Sequence, residues 1–299
     1  MLMGRPMWRH QWKRSLRHER LFEDTNHRSG GGGMSLFISS VFTYDEDAGN
    51  YIQAVETADA QALEPATRKA INNFVIGCKQ DGIWTAIKAS CILSGARTLA
   101  GALTPLVGTA PTNVGFIGIG TDYVRKTGLV GDGSTKYLNS NRNNNADPQN
   151  SRHAAAFATT RNTEDIVRAY IRAVFAAEGG TQVFSGASPS KLSARCGDFT
   201  TVTTTANLHA ANGFFGVNRN ISTQYQARGS ALNETIAQSS VAPGNANYFV
   251  FAGNNQTGPA VDLYSNARLA FYSIGESLDL ARLDARVTDL INAFAVTIP

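Results

Sequence analysis

The chain is poor in the residues that usually announce a function. It has three cysteines in 299 residues, Cys78, Cys91 and Cys196, widely spaced and without a C-x-x-C pair. That spacing excludes zinc held by cysteine pairs, and the apolar surroundings of Cys78 and Cys91 read as small buried hydrophobes. Histidine is scarce as well: three of the five lie in residues 1–33, leaving His153 and His209, neither in a metal-ligand spacing. Either can be imagined as a general base, but neither has a visible partner in sequence. No window offers about 18 uninterrupted apolar residues, so no membrane span is expected. The leader lacks the apolar core of a secretory signal, so export by that route is not expected either.

Charge is absent from most of the chain in a specific sense. The net +4 lies wholly in residues 1–33, where Arg5, Arg9, Lys13, Arg14, Arg17, Arg20 and Arg28 stand against Glu19, Glu23 and Asp24; the remainder balances 20 basic against 20 acidic residues. A neutral body lacks the electrostatic footprint of a nucleic-acid binder, so neither nucleic acid nor an inserted membrane is expected as a partner. The leader also holds Trp8, Trp12 and the run Gly30 to Gly33, with Met34 immediately after. It reads as a basic binding segment, as a flexible arm, or as an untranslated stretch preceding a start at Met34. The third reading follows from the glycine run, which a purine-rich ribosome-binding sequence gives when read as codons.

Catalytic signatures are missing too. Gly128 and Gly133 have P-loop separation, but Ser134 stands where the phosphate-binding lysine belongs. Gly115, Gly118 and Gly120 lack G-x-G-x-x-G order, and no serine sits in G-x-S-x-G. No candidate strand shows the alternating carboxylates that some sandwich glycanases use, and Glu276 and Asp279 open a helix, where negative charge suits the dipole. Carboxylates brought together by folding stay open. No enzyme activity and no cofactor are expected.

What is present is architecture. Pro65 suits a first helical turn, and Ile71, Phe74, Val75 and Cys78 form one apolar face. After Asp81-Gly82, the residues Ile83, Trp84, Ile87 and Cys91 read as a second short amphipathic helix, with Trp84 as core. Asp45-Glu46-Asp47 reads as a solvated turn, since no calcium-ligand spacing follows it. From about 112 to 275 short apolar bursts alternate with turn signals. Candidate strands are Thr135–Asn139, Ala154–Thr159, Ile166–Phe175 (whose composition also permits a helix), Gln182–Phe184, Phe214–Val217, Tyr225–Arg228, Tyr248–Ala252 and Ala267–Ile274. This is the rhythm of a sandwich or barrel. Leu280, Leu283, Val287, Leu290 and Phe294 then recur at 3-4 spacing, an amphipathic helix that packs on the chain's own sheet or serves an oligomer.

The densest signal is Gly128 to Asn139, a glycine-rich turn and short strand, followed by a loop with Asn141, Asn143, Asn144, Asn145 and Asp147. Amide side chains offer both a donor and an acceptor to sugar hydroxyls, so these five are the candidate ligand contacts. Calcium is the competing reading, without the terminal glutamate of an EF-hand loop.

Four segments carry a resemblance. Asp81-Gly82-Ile83-Trp84, then Gly128 to Leu138, then Asn247-Tyr248-Phe249-Val250-Phe251-Ala252, then Ala270-Phe271-Tyr272-Ser273-Ile274-Gly275 with its helix, resemble bacteriophage structural and tail proteins. The match runs in the same order over roughly residues 60–299. It implies a laminin-G-like, concanavalin-A-like antiparallel β-sandwich, and its motifs are structural, so no catalytic residue is carried over.

The expected organisation is a basic leader (1–33), a mostly helical N-terminal region (34–110), and a mainly β sandwich domain with a closing C-terminal helix (111–299). The expected function is a non-enzymatic virion component, a tail or fibre adhesin made in the host cytoplasm without a signal peptide. Its partners would be other virion proteins, further copies of itself and a host cell-surface glycan. A purely structural part, in capsid decoration or tail assembly, and a glycan-degrading enzyme are the alternatives. If translation starts at Met34, the intact mass of the native protein will correspond to a chain beginning there; a mass including Met1 overturns that reading.

Overall fold

A computed structural model describes residues 43–164, 166–186, 188–258 and 260–299. The leader and its alternative readings lie outside the described residues. Residues 43–299 form one compact unit. In chain order its elements are α1 (Glu46–Asp59), α2 (Pro65–Gln80), β1 (Ile87–Ile92), α3 (Leu99–Ala102), β2 (Pro105–Val107), β3 (Thr112–Val114), β4 (Tyr123–Val124), β5 (Gly128–Val130), β6 (Tyr137–Asn143), β7 (Arg152–Thr160), β8 (Ala169–Val174) and β9 (Gly180–Ser185). There follow β10 (Leu192–Asp198), β11 (Val202–Thr203), β12 (Gly213–Arg219), β13 (Tyr225–Gly229), β14 (Leu232–Ile236), β15 (Asn247–Val250), β16 (Gly253–Asn255), β17 (Val261–Asp262), β18 (Arg268–Gly275) and α4 (Leu280–Thr297).

The strands make two sheets, and the fold is a mainly antiparallel β-sandwich. The first sheet runs β14-β13-β12-β7-β18-β1-β2, with β5 and β4 added beside β18. The second runs β11-β10-β9-β8-β15-β6-β3, with β16 and β17 beside β8. The sheets meet through side chains such as Tyr170 of β8, stacked on Phe215 of β12 at 5.2 Å and 10°. Across the same layer the Tyr225 hydroxyl donates to the Ala194 carbonyl at 3.0 Å.

The first sheet is covered on its other face by helices. Phe74 of α2 meets Phe271 of β18 edge-on at 5.7 Å, and Leu280 of α4 lies against Gly216 of β12. Both faces of β7 and β18 are therefore dry, which explains their nearly unbroken apolar runs. In β7 the layer is filled by Ala154, Ala155, Ala156 and Ala158, all fully buried.

The helix over Pro65–Gln80 forms as its periodicity implies, with Pro65 at its start and Ile71, Phe74, Val75 and Cys78 inside. So does α4, which buries Leu280, Leu283, Val287, Leu290 and Phe294. Asp279 caps α4, accepting from the amides of Ala281 at 2.8 Å and Arg282 at 3.2 Å. All three cysteines are buried, and burial pushes each thiol up to about 12.

The second helical piece is a correction. Residues 84–86 make one 3-10 turn, and Ile87–Ile92 is strand β1, paired with β18 so that Cys91 faces Tyr272. With β2 also in the first sheet, the sandwich begins well before residue 111. A strand buried on both faces shows no alternation, and its partner lies some 180 residues away, so local spacing mimics a helix. Trp84 packs at the edge of the core, half-buried: its Nε1 donates to Asp47 at 3.0 Å and Lys79 sits 5.8 Å from the ring centre. The acidic triplet starts α1 instead of making a turn, with Asp45 as its N-cap.

The glycine-rich stretch is the corner where the chain crosses between sheets. β5 belongs to the first sheet and β6 to the second. Asp132 organises the crossing by accepting from the amides of Ser134, Thr135 and Lys136 and from the Thr135 hydroxyl. Burial raises its pKa, but those hydrogen bonds outweigh it and hold the carboxyl below the usual range. Gly128, at φ +98°, lies against the Leu269 carbonyl, where a Cβ has no room; Gly133, at φ +74°, is limited chiefly by its backbone and by the Arg168 guanidinium, a side chain rather than backbone. Gly128→Ala is expected to cost about 2 kcal/mol or more and Gly133→Ala about 1 kcal/mol. Urea unfolding midpoints of the two variants test that order.

Candidate ligand-binding face

The centre of the first sheet is covered on both sides, though its β13–β14 edge stays partly exposed; on the second sheet β8, β9 and β10 are buried throughout, and partly exposed residues lie on β6, β15 and the rim loops. Strand pairing fixes what lies on the outer face of the second sheet. Thr112 faces Asn139, Asn139 faces Phe249, Phe249 faces Arg172, Arg172 faces Gln182, and Gln182 faces Arg195. Directly opposed residues project to the same side, so one polar row crosses the sheet with a single aromatic in it.

That aromatic is part of a cluster. The Tyr137 and Phe249 rings are 4.7 Å apart at 33°, and Tyr264 stands 6.3 Å from Tyr137. All three are partly exposed. Beside them Arg172 ion-pairs with Asp262, whose other oxygen accepts from Asn255 at 2.7 Å. Gly253 makes this possible, because a Cβ there would occupy the space of the Arg172 guanidinium and the Asp262 carboxylate. Arg172 Nε donates to Gln182 at 2.7 Å, and Gln182 Nε2 donates to the Thr201 hydroxyl at 2.6 Å. Asp262 is thus already engaged on this face.

The asparagine segment is partly strand. Asn139, Asn141 and Asn143 belong to β6, and Asn141 takes φ 56° where the pairing with β15 is irregular. Asparagine tolerates that left-handed conformation better than most residues. Its amide donates to the Ala110 carbonyl at 2.8 Å. Asn143 accepts from the Asn145 amide at 3.0 Å and donates to Asn245 at 2.6 Å. Asn145 is exposed.

Two of the five candidates face inward, which corrects their reading as contacts. Asn144 is 0% exposed; its amide donates to the Gly179 and Gly244 carbonyls, and its oxygen accepts from Thr181. Asp147 is 3% exposed and paired with Arg142. Beneath them the fully buried Arg152 donates to the carbonyls of Asn144, Asp147 and Pro148 at 3.3–3.4 Å. Composition cannot distinguish an amide that holds a loop from one that faces solvent. Beside the rim lies a cleft of about 400 Å³ lined by Phe175, Ala176, Ala177, Glu178, Asn245 and Gln256.

The two body histidines are structural. His153 Nδ1–H donates to the Glu276 carbonyl at 2.6 Å, and the Ser273 hydroxyl lies 2.7 Å from Nε2. His209 Nδ1–H donates to the Pro189 carbonyl at 2.8 Å, and the Tyr170 hydroxyl lies 2.6 Å from its Nε2. Both are 0% exposed, which closes the general-base reading. Among the described residues, no group of three or more His, Cys, Asp or Glu is placed to hold a metal ion.

No family model matches the chain, and no curated protein matches it. Solved structures similar to it include the CBM40 of the Ruminococcus gnavus IT-sialidase, at 10% identity and a TM-score of 0.36 over 46% of this chain and 82% of that one. Another is a Trypanosoma rangeli sialidase in complex with sialic acid, at 10% identity and 0.45 over 69% of this chain and 34% of that one. A third is the botulinum neurotoxin serotype D binding domain, at 11% identity and 0.43 over 68% and 50%. Likenesses this distant carry no argument about a ligand.

Burial holds His153 and His209 neutral, pulling each pKa from 6.5 to about 4. The unfolded chain therefore binds protons that the folded chain refuses. Stability is complete above about pH 6.5 and falls as pH drops toward 4, with a slope approaching about two protons. Denaturant melts across that range test this; a flat profile overturns it.

Proposed function

We propose that this chain is a non-enzymatic glycan-binding protein whose contact surface is the outer face of the second sheet with its asparagine rim. The observation that carries this reading is the partly exposed cluster of Tyr137, Phe249 and Tyr264 beside the partly exposed Asn139, with the buried Arg172 and Gln182 beneath the surface next to it. Ligand sites combine apolar and aromatic surface with a few placed polar groups. Flat rings suit the C–H faces of a sugar, and neighbouring amides suit its hydroxyls. Of the five sequence candidates, Asn141, Asn143 and Asn145 remain as rim contacts.

The virion setting is supported by the resemblance of the four sequence segments to phage structural and tail proteins. In a tail or fibre, many copies would turn weak single sites into firm attachment to a host surface glycan. A structural role within a particle has one observation in its favour: Ile117 and Ile119 are 76% and 60% exposed, with Val124 on the same segment, a surface suited to a neighbouring subunit. Mass spectrometry and mapping of the purified particle test the setting, and absence of the chain from it overturns that part.

On a glycan array, the parent protein is expected to bind a defined subset of oligosaccharides. Phe249→Ala and Tyr137→Ala should each weaken binding about tenfold, roughly 1.4 kcal/mol, and Asn145→Ala less. No binding by the parent, or unchanged binding by both aromatic variants, overturns the reading.

A further inference from the structure

Arg195 has fewer partners than the other buried arginines of this fold; Arg152, whose Nε is also unpartnered, still bonds three carbonyls. Arg219 is 0% exposed and donates to the carbonyls of Cys196, Ile221, Ser222, Gln224 and Gln238, with Asp198 at 3.4 Å. Arg172 has Asp262 and Gln182. Arg195 is 8% exposed and makes one hydrogen bond, Nη2 to the Thr201 hydroxyl at 3.1 Å, while its Nε and Nη1 have no partner. Asp198 attracts it only at a distance and is already placed against Arg219. Arg172, on the same face, repels it.

An arginine carries five N–H donors, and a buried cation without a counter-charge costs several kcal/mol. This chain keeps one on the floor of the face that also carries the aromatic cluster. Its single acceptor is instructive. The Thr201 hydroxyl takes donors from both Gln182 and Arg195, so one exposed residue supplies the oxygen toward which this floor points. Thr201 sits on the short connection from β10 to β11, between Asp198 and Val202.

We infer that Arg195, with Gln182 and Arg172 beside it, is the subsite for the acidic group of a carboxylated sugar. This rests on the glycan reading and narrows it: Arg195 lies three strands from Phe249, about 14 Å at the usual strand spacing, so the aromatic cluster and Arg195 take different residues of one oligosaccharide. An ionised acceptor makes the stronger hydrogen bond and supplies the missing counter-charge.

The test uses the full chain and its Arg195→Gln and Arg195→Met variants. The probes are free glucuronate and matched neutral, carboxylated and sulfated oligosaccharides, with calorimetry and thermal melts as readouts. The parent should bind the carboxylated sugar at least tenfold tighter than its neutral match. Both variants should lose that preference while keeping neutral binding. Their melting temperatures should equal or exceed the parent's, because an unpaired buried charge has been removed; a purely structural arginine would lower them. Equal binding of neutral and acidic sugars by the parent overturns the subsite and leaves the glycan reading standing. Glucuronate binding that depends on Arg195, with no oligosaccharide bound, keeps the anion site and removes the glycan reading. Preference for sulfate over carboxylate overturns the assignment of the acid.

Discussion

The structure depends on one layer being dry on both sides. The centre of the first sheet, β7 and β18, is pressed between helices and a second sheet, and every side chain there must fit a gap set by its neighbours. Alanines in β7 answer that demand, leaving room for Phe271 and Phe74 on one side and Tyr170 and Phe215 on the other. Interiors pack as densely as organic crystals, so a small residue in one strand permits a large one in the next. The dry centre of that sheet offers no contact surface, and the partly exposed aromatics Tyr137, Phe249 and Tyr264 belong to the second sheet and its rim.

Much of this could be read from sequence, and the exceptions share a cause. Amphipathic helices declare themselves through 3.6-residue spacing, as α2 and α4 do. Glycines at a corner declare themselves through turn chemistry, although only the structure reveals that Gly128 to Lys136 carries the chain from one sheet to the other. β1 misleads because it is apolar on both faces and its partner is distant. Asn144 misleads because an amide that satisfies three loops looks, in composition, like one that faces water. The polar row is drawn from Thr112, Asn139, Arg172, Gln182, Arg195 and Phe249, which come together only when the strands pair. No local window contains them.

Buried guanidinium groups recur as joints. Arg219 gathers backbone carbonyls from both sides of a loop and lies 5.3 Å from the Tyr225 ring centre. Arg152 does the same beneath the asparagine rim. Arg195 occupies a similarly enclosed position without such duties, which separates a group that holds the fold from one with donors to spare. The distinction comes from counting partners, since residue type and burial are alike.

The way Arg152 holds the rim has a consequence for its endurance. Its acceptors are chiefly peptide carbonyls, which do not titrate, and the contact lies in a dry layer that mobile ions do not enter. Surface loops fixed by exposed ion pairs loosen in brine or acid. The share of this rim that Arg152 holds is insensitive to salt, whereas the Arg142–Asp147 pair beside it is the part that acid can loosen.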